Sequence, residues 1–486
     1  MKNPSTKTIL FTVALISGFL FCLSCKRTDM ALAASAAPAT TIIQIQMPNA
    51  DGLPGTQLTF NYEVFFMPLI EFYGEAFPVK ICSTASLNTF LDGSPRMIVI
   101  DDYIGDSLGD FGVTLLLRAS SGGGESVSAG EPVPVRIEIE GDRFISKSGI
   151  DVVMPLDREM EIFPRIVYNY NALERLIQPA SENVYFRLYY GSVLLIEKVE
   201  VVRFHSINEV PFRVIDRRDG ESIEDYTWLF AAYVNEDDPL IDKILQEALQ
   251  IGTAEKIGLG SAFSFSGYQI EDEYGDSSLS VDLQVLAIWS VFLNNNIKYS
   301  DITTTSTLNN NMDTQYVRTL GESFGNSQAN CVDGSVLFAS VLRKIGIHPL
   351  LILVPGHMFV GYLRDDDPFS IGFLETTMMG NVDVSKHTRD DSFMGKLKRW
   401  SGFGQTQSTV TRDSFLDAIT AGDERYENAL IELYLEYEQY HEILDELDGD
   451  EFYAALEELW DEEGDSYAII DISFWRSFGI MPVTRY

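Results

Sequence analysis

Short runs of alternating apolar and polar residues fill the chain from residue 41 to about residue 214. Ile42–Gln46, Leu58–Val64 and Val133–Ile139 are examples, and turn pairs such as Asp51-Gly52 separate several of the runs. A period of two predicts half-buried strands, and short strands with regular turns indicate antiparallel β-sandwich modules. We therefore expect an all-β N-terminal half.

A Gly/Ser-rich stretch at 120–125 lies within this half. It either divides two β-sandwich modules, over 41–130 and 131–214, or forms one long hairpin loop. No set of side chains here is arranged for chemistry, which favours a spacer or a binding platform. Cys82 follows the strand-like run Pro78–Ile81, and a lone cysteine in apolar surroundings is usually an inert core residue.

The apolar period changes near Asp216 from that of strands to that of helices. Asp238-Pro239 precedes apolar residues at helical spacing, which predicts a capped amphipathic helix. The run 281–293 predicts a second, largely buried helix, with Trp289 as a core residue rather than a wall of a binding site. Residues 215–486 are therefore expected to form an α+β domain.

A third helix is predicted over Cys331–Ile345, where apolar residues again recur at helical spacing. Asn330 is a good N-cap and Gly346 a good terminator, so Cys331 falls in the first turn. Free N–H groups and a partial positive charge at that end stabilise a thiolate. The same N–H groups suit an oxyanion.

Three strands are predicted after this helix, over 350–354, 357–363 and 371–377. If the hairpin between the last two is symmetric about Asp366, His357 and Glu375 lie directly opposite each other. Cross-strand partners have Cβ atoms about 5 Å apart, so a carboxylate there can hold an imidazole. In this arrangement the cysteine can act as nucleophile, the histidine as its base, and the carboxylate as the group that orients the histidine.

This arrangement resembles the transglutaminase-like domain of the papain-like cysteine enzymes, and the resemblance covers roughly residues 280–380. It is carried by Cys331 at the helix start, by the strand Pro355–Val360 with His357, and by Leu374–Thr377 with Glu375. The resemblance implies a Cys-His-acid triad and an α+β fold. There are two departures: Glu375 stands where the family usually has Asp, and the spacing from Cys331 to His357 is short.

A second donor for the oxyanion is expected upstream of the cysteine, where papain-like relatives often place a side-chain amide. Gln328 and Gln315 are the two candidates, and nothing in the sequence selects between them. No cofactor is predicted. A zinc ion on Cys331, His357 and Glu375 lacks the paired ligand spacing that such sites usually show, so no metal is predicted either.

Charge narrows the classes of partner. The chain carries 72 acidic and 35 basic side chains, a formal net charge of −37, with a pI near 4.3. A nucleic-acid partner is therefore not expected, because phosphate contacts need a basic surface. Residues 423–465 hold 18 of the acidic side chains, and Arg425 is the one basic residue among them. Their apolar spacing predicts an acidic helical hairpin inserted in the C-terminal domain.

The N-terminal residues show the order of charged and apolar segments that is typical of an export signal. Lys2 and Lys7 precede the apolar run Ile9–Leu23, which is shorter than the roughly 20 residues that a spanning helix needs. Leu23-Ser24-Cys25 resembles a lipobox, which predicts a signal peptide over 1–25, lipidation of Cys25 and a linker over 26–40. Ordinary cleavage at 31–33 is the alternative.

Two functional hypotheses follow from the sequence. The first is an exported, lipid-anchored, periplasmic or cell-surface enzyme that performs cysteine-dependent acyl transfer on an amide. Its substrate is expected to be a protein or peptide, with peptidoglycan as one option, and the acceptor, water or an amine, stays open. The second is a non-catalytic binding or scaffolding lipoprotein of the cell envelope, since a fold does not imply an activity.

Overall fold

The structure is a computed structural model, and its description is confined to part of the chain. The described residues are 41–48, 54–68, 74–88, 97–100, 103–106, 111–119, 133–155, 158–216, 222–253, 259, 262–271, 276–300, 305–308, 311–365, 367–380, 407–436 and 467–483. They form two compact units of mixed α and β structure with several sheets. One unit lies within Ala31–Val210 and Gly479–Tyr486, and the other spans Pro211–Phe478.

Thirteen described strands build the first unit. In chain order they are β1 (Thr41–Pro48), β2 (Pro54–Pro68), β3 (Glu75–Ala76), β4 (Met97–Ile100), β5 (Tyr103–Asp106), β6 (Phe111–Ala119), β7 (Val133–Gly141), β8 (Ile145–Ser146), β9 (Ser148–Met154), β10 (Glu159–Phe163), β11 (Val167–Tyr168), β12 (Ala180–Tyr190) and β13 (Val193–Phe204). Two short helices, α1 (Pro78–Ser83) and α2 (Tyr170–Leu173), interrupt them.

These strands form two main sheets that share one hydrophobic core. One sheet has the order β1-β2-β6-β10-β5-β4, and the other has the order β3-β13-β12-β7-β9. Most neighbours are antiparallel, but β10 pairs with β5 and β13 pairs with β3 in parallel. The core contains Leu115 and Ile162 from the first sheet and Ile137 and Phe186 from the second.

The strand exchange between these sheets differs from the two modules predicted over 41–130 and 131–214. β10 comes from the second predicted module and pairs with strands of the first, whereas β3 comes from the first and pairs with β13. Periodicity identifies strands but carries no information about which distant strand each one joins. The stretch 120–125 lies outside the described residues, and the strands that flank it, β6 and β7, belong to different sheets.

The segment that precedes Cys82 is a helix rather than a strand. Pro78 occupies the first turn of α1, where its missing N–H costs nothing, and Val79 and Ile81 are buried. The core position of Cys82 nevertheless agrees with the expectation of an inert thiol, because Cys82 packs against the shared core. Burial, with a smaller effect of Glu174, raises its pKa to about 12.

The second unit contains ten strands and six helices within the described residues. The strands are β14 (Glu209–Asp216), β15 (Ser222–Asp225), β16 (Lys298–Tyr299), β17 (Thr305–Leu308), β18 (Met312–Tyr316), β19 (Gln328–Ala329), β20 (Pro349–Val354), β21 (His357–Leu363), β22 (Ile371–Leu374) and β23 (Ala468–Asp471). The helices are α3 (Pro239–Thr253), α4 (Ser278–Asn294), α5 (Leu320–Gly325), α6 (Cys331–Lys344), α7 (Gln407–Glu436) and α8 (Ile472–Ser477). Short 3₁₀ turns cover Thr227–Tyr233 and Thr376–Gly380.

The antiparallel sheet β22-β21-β20-β23 supports the segment singled out from the sequence. Helix α6 packs against β20 and β21, and α7 packs against the edge strand β22. Trp289 of α4 is fully buried and contacts Phe338 and Phe415, which confirms it as a core residue. The helices predicted after Asp238, over 281–293 and from Cys331 are confirmed as α3, α4 and α6.

The acidic segment 423–465 is only partly described. Its first residues belong to α7, a helix of 30 residues that begins at Gln407, well before the predicted hairpin. Residues 437–466 lie outside the described part of the chain, as do residues 1–40 with the predicted signal, Cys25 and linker. Among the helices that are described, none has the length and apolar character needed to cross a membrane.

Candidate active site

Cys331 is the first residue of α6, and its position is fixed by a capping box. The Asn330 side chain accepts from the N–H of Asp333 at 2.8 Å, and the Asp333 carboxylate accepts from the N–H of Asn330 at 3.1 Å. The backbone carbonyl of Asn330 also accepts a hydrogen bond from the N–H of Gly334. The N–H groups of Cys331 and Val332 have no acceptor among the described residues, so the positive end of the helix is open beside the sulfur.

A buried ion pair anchors the same turn. The Asp333 side chain is fully buried and accepts from the backbone N–H of Arg318 at 2.8 Å and from its guanidinium at 2.6 Å. Burial nevertheless raises the pKa of Asp333, against the opposing effect of these hydrogen bonds. Loss of either partner of a buried pair usually costs about 3–5 kcal/mol, so this contact holds the start of α6 firmly.

His357 opens strand β21 directly after a tight turn. Val354 pairs with His357, so Pro355 and Gly356 alone connect β20 to β21. Gly356 has a φ of +71°, a conformation that side chains other than glycine rarely adopt. The turn places the imidazole at the end of the sheet, where α6 begins.

The register between β21 and β22 differs from the predicted one. Val360 pairs with Leu374 and Leu363 with Ile371, which centres the hairpin on Asp367 instead of Asp366. The cause lies in the loop, where the Asp365 and Asp367 carboxylates accept from backbone N–H groups two residues further on. Glu375 follows the end of β22 and is level with Phe359, two residues from His357.

His357 and Glu375 meet in spite of that offset, because a shift of two residues keeps both side chains on the same face. The Nε2 atom of His357 lies 2.8 Å from Oε2 of Glu375. The other ring nitrogen, Nδ1, is then the atom available to Cys331, which is close enough to the ring to raise its pKa. The structure thus brings the three predicted triad residues together, with His357 hydrogen-bonded to Glu375 and Cys331 close to the ring.

The Glu375 carboxylate is almost completely buried, and both of its oxygens are occupied. Oε1 accepts from the N–H of Thr377 at 3.0 Å and from its hydroxyl at 2.5 Å. Oε2, besides binding His357, forms an ion pair with Arg425, whose Nε atom lies 2.8 Å away. The three hydrogen bonds and the ion pair all favour the ionised form of this carboxylate.

The electrostatics favour a charged imidazole. Burial lowers the pKa of His357, but interactions with Cys331 and Glu375 outweigh burial and raise it to about 9. Burial raises the pKa of Glu375, and its contacts with His357 and Thr377 reverse that effect, so the result is a lowered pKa. At neutral pH this arrangement holds an imidazolium between a carboxylate and a cysteine sulfur.

The two amides predicted as oxyanion donors occupy different settings. Gln328 is exposed in β19, two residues before the N-cap of α6. Gln315 is buried in β18, and its amide nitrogen donates to the carbonyl of Tyr316 at 3.0 Å. Their role stays a prediction.

Thr377 and Arg425 are the contacts that sequence reasoning missed. Thr377 follows the predicted acid by two residues, a spacing at which a side chain can bind its neighbour's carboxylate. Arg425 had one signal in the sequence, as the single basic residue of an acidic segment. Within the described parts of the chain, no cluster of three His, Cys, Asp or Glu residues could hold a metal ion.

Comparison with known proteins adds no relationship. No protein-family model matches the chain, and no curated protein matches it.

Proposed function

We propose that this chain is a cysteine-dependent acyl-transfer enzyme that acts on an amide, with a transglutaminase-like catalytic domain. The observation that carries the proposal is the convergence of Cys331, His357 and Glu375 at the start of α6, where Glu375 binds His357 and Cys331 influences the pKa of the ring. Each member has the chemistry its role requires: a nucleophile at a helix N-terminus, a base in contact with it, and a carboxylate that orients the base.

The reacting form in the proposed reaction is the ion pair in which the proton of the Cys331 thiol resides on Nδ1 of His357. The thiolate attacks the amide carbonyl carbon, forms a C–S bond and gives a tetrahedral oxyanion. The oxyanion collapses, the C–N bond breaks, and the His357 imidazolium gives its proton to the departing amine. Water or a second amine then attacks the thioester, loses its proton to His357 and expels the thiolate.

The free N–H groups at the start of α6 support this chemistry. Those of Cys331 and Val332 are adjacent to the sulfur and unused by the Asn330 cap. Donors of this kind stabilise a developing oxyanion, and removal of one such donor costs about 10²–10³ in rate in a well-studied hydrolase. Gln328 or Gln315 would be a second donor.

Export and anchoring belong to the same proposal, on the evidence of the first 25 residues. A signal peptide with Cys25 as the lipidated residue would place the enzyme on the periplasmic or outer face of a membrane, close to protein, peptide or peptidoglycan substrates. Growth of cells with labelled palmitate tests the anchor. The wild-type chain should take up label, and a Cys25→Ala chain that takes up equal label would contradict it.

Alkylation by iodoacetamide tests the proposed nucleophile, because only the thiolate reacts. Peptide mass spectrometry after brief exposure at several pH values gives the rate at each cysteine. Cys331 should react readily near neutral pH, and His357→Gln should lower that rate, because the variant lacks the proposed base. Cys82 is an internal control with a pKa of about 12, and it should stay unmodified in the folded protein.

The same experiment distinguishes the scaffolding alternative. A binding lipoprotein that retains the fold alone needs no activated thiol. The alkylation rate of its Cys331 would be the same at each pH in the wild type and in the His357→Gln variant.

A further inference from the structure

Arg425 of α7 binds the same carboxylate oxygen as the imidazole. Its Nε atom lies 2.8 Å from Oε2 of Glu375, the distance at which Nε2 of His357 binds that oxygen. Glu375 is 2 % exposed at its side chain, whereas Arg425 is 44 % exposed, so the arginine covers the carboxylate from the solvent side. The triad predicted from the sequence includes no positively charged residue beside the carboxylate.

The docking of α7 on β22 fixes the arginine there. The carbonyl of Ala418 accepts from the backbone N–H of Glu375 at 3.0 Å. Gly422 lies against the backbone of β22, where a Cβ atom would come within 2.7 Å of the carbonyl carbon of Phe373. Tyr426 stacks on the ring of Phe373, with centroids 4.2 Å apart. Arg425 immediately precedes that stacked residue, so its Cα is held by three contacts.

We propose that Arg425 is a positioning residue of the active site, which holds Glu375 for His357 and partly neutralises the charge that the imidazole senses. The inference rests on the proposed function, in which Glu375 orients His357. It makes α7, an element outside the segment that resembles the transglutaminase-like domain, part of the active site.

The direction of the effect follows from the charges around His357. Cys331 faces the ring from α6, Glu375 faces it from the end of β22, and Arg425 acts through Glu375. A positive charge beside the carboxylate disfavours the imidazolium. Removal of that charge therefore raises the pKa of His357, provided that Thr377 still holds the carboxylate in place.

The test is an NMR titration of the His357 ring in the full chain, which needs no substrate. Arg425→Gln should raise the titration midpoint by about half a unit to one unit, a modest shift because the guanidinium is half exposed. Arg425→Lys keeps the charge and should leave the midpoint close to that of the wild type. Arg412→Gln, about 20 Å away along the same helix, removes an equal charge and should change nothing.

A double variant separates a positioning role from a merely structural one. In a Glu375→Gln background the added Arg425→Gln change should have no further effect on His357, because the arginine acts through the carboxylate. An unchanged or lowered midpoint in Arg425→Gln overturns the inference, as does an equal shift in Arg412→Gln. These outcomes are independent of the alkylation of Cys331, on which the proposed function stands or falls.

Discussion

Glu375 reaches His357 along a diagonal of the β21–β22 hairpin, with 2.8 Å between Oε2 and Nε2, and not from the directly opposite position. Diagonal neighbours are about 7–8 Å apart at their Cα atoms, farther than direct partners. A glutamate has one methylene more than an aspartate. The longer acid at this position therefore suits the register that the loop around Asp367 imposes.

Shortening the acid should accordingly impair the site even though the charge is retained. We expect Glu375→Asp to lower the alkylation rate of Cys331 near neutral pH by up to about 100-fold, the scale for a displacement of about 1 Å. Glu375→Gln, which keeps the length and loses the charge, is the matched variant. A Glu375→Asp protein with wild-type reactivity would show that the diagonal contact is unimportant.

The cysteine should in turn determine the titration of His357. The ring has a pKa of about 9, and Cys331 is among the groups that raise it. We expect Cys331→Ala to lower the NMR midpoint by about one unit, because the alanine offers neither a hydrogen bond nor a charge. Titration of His357 at the same pH in both proteins would contradict the contact.

Because the pKa of His357 is raised in the folded protein, the stability of the fold depends on pH. A histidine whose pKa is raised in the folded state stabilises the fold fully below its unfolded value, about 6.5. That contribution is lost as the pH rises through the folded value of about 9. Urea unfolding of the wild type and of His357→Gln, measured at several pH values between about 6.5 and 9, tests this. The difference between their free energies of unfolding should shrink as the pH rises.

Gly422 should be intolerant of any side chain. An alanine in a helix interior usually stabilises it by about 1 kcal/mol relative to glycine. At Gly422, however, the added Cβ would lie within 2.9 Å of three backbone atoms of Phe373 and Leu374, so α7 must move off β22. We expect Gly422→Ala to lower the free energy of unfolding and the reactivity of Cys331 together.

Gly321 of α5 supplies the control for this change, since nothing lies within 4 Å of its added Cβ. Gly321→Ala should leave reactivity unchanged and should not reduce stability. Equal behaviour of the two alanine variants in urea unfolding would refute the close packing of α7.

His205 should give the first unit a pH dependence of its own. It is fully buried, stacked on Phe77, and bound to Glu75 at 2.6 Å and Glu209 at 3.2 Å. Burial lowers the pKa of His205, and the two carboxylates reverse this, so the net shift is upward. Its stabilising effect is therefore complete below about pH 6.5 and is lost as the pH rises through the folded pKa.

Comparison of the wild type with His205→Gln tests this directly. The difference in free energy of unfolding should be larger at pH 6 than at pH 9. An equal difference at both values would mean that the ring does not carry a charge in the folded protein.

Local signals identified most of the secondary structure around the site. The cap at Asn330, the terminator at Gly346 and the apolar runs of β20 and β21 are short-range features, and each is present in the structure as predicted. The predicted register of the β21–β22 hairpin was wrong by two positions, because hydrogen bonds from backbone N–H groups to the Asp365 and Asp367 side chains set the centre of the loop. Periodicity of the flanking strands carries no information about those bonds.

Long-range contacts were not accessible to the same reasoning. Arg425 binds a carboxylate 50 residues earlier in the chain, and β10 crosses into a sheet built from residues before 120. Contacts of this kind depend on tertiary packing, whereas a propensity or a spacing describes only near neighbours. For Arg425 itself, the one distinguishing sequence feature was its place as the single basic residue of an acidic segment.

Acylation of the protein by p-nitrophenyl acetate tests the central claim most directly, because this activated ester is a simple acyl donor. Intact-mass and peptide spectra of the wild type should show one acetyl group on Cys331, and hydroxylamine should remove it. This group should form much more slowly in His357→Gln. In Cys331→Ala, the peptide that contains position 331 should carry no acetyl group there. An unmodified Cys331, or acetylation at the same rate without the His357 imidazole, would contradict the proposed acyl-transfer site.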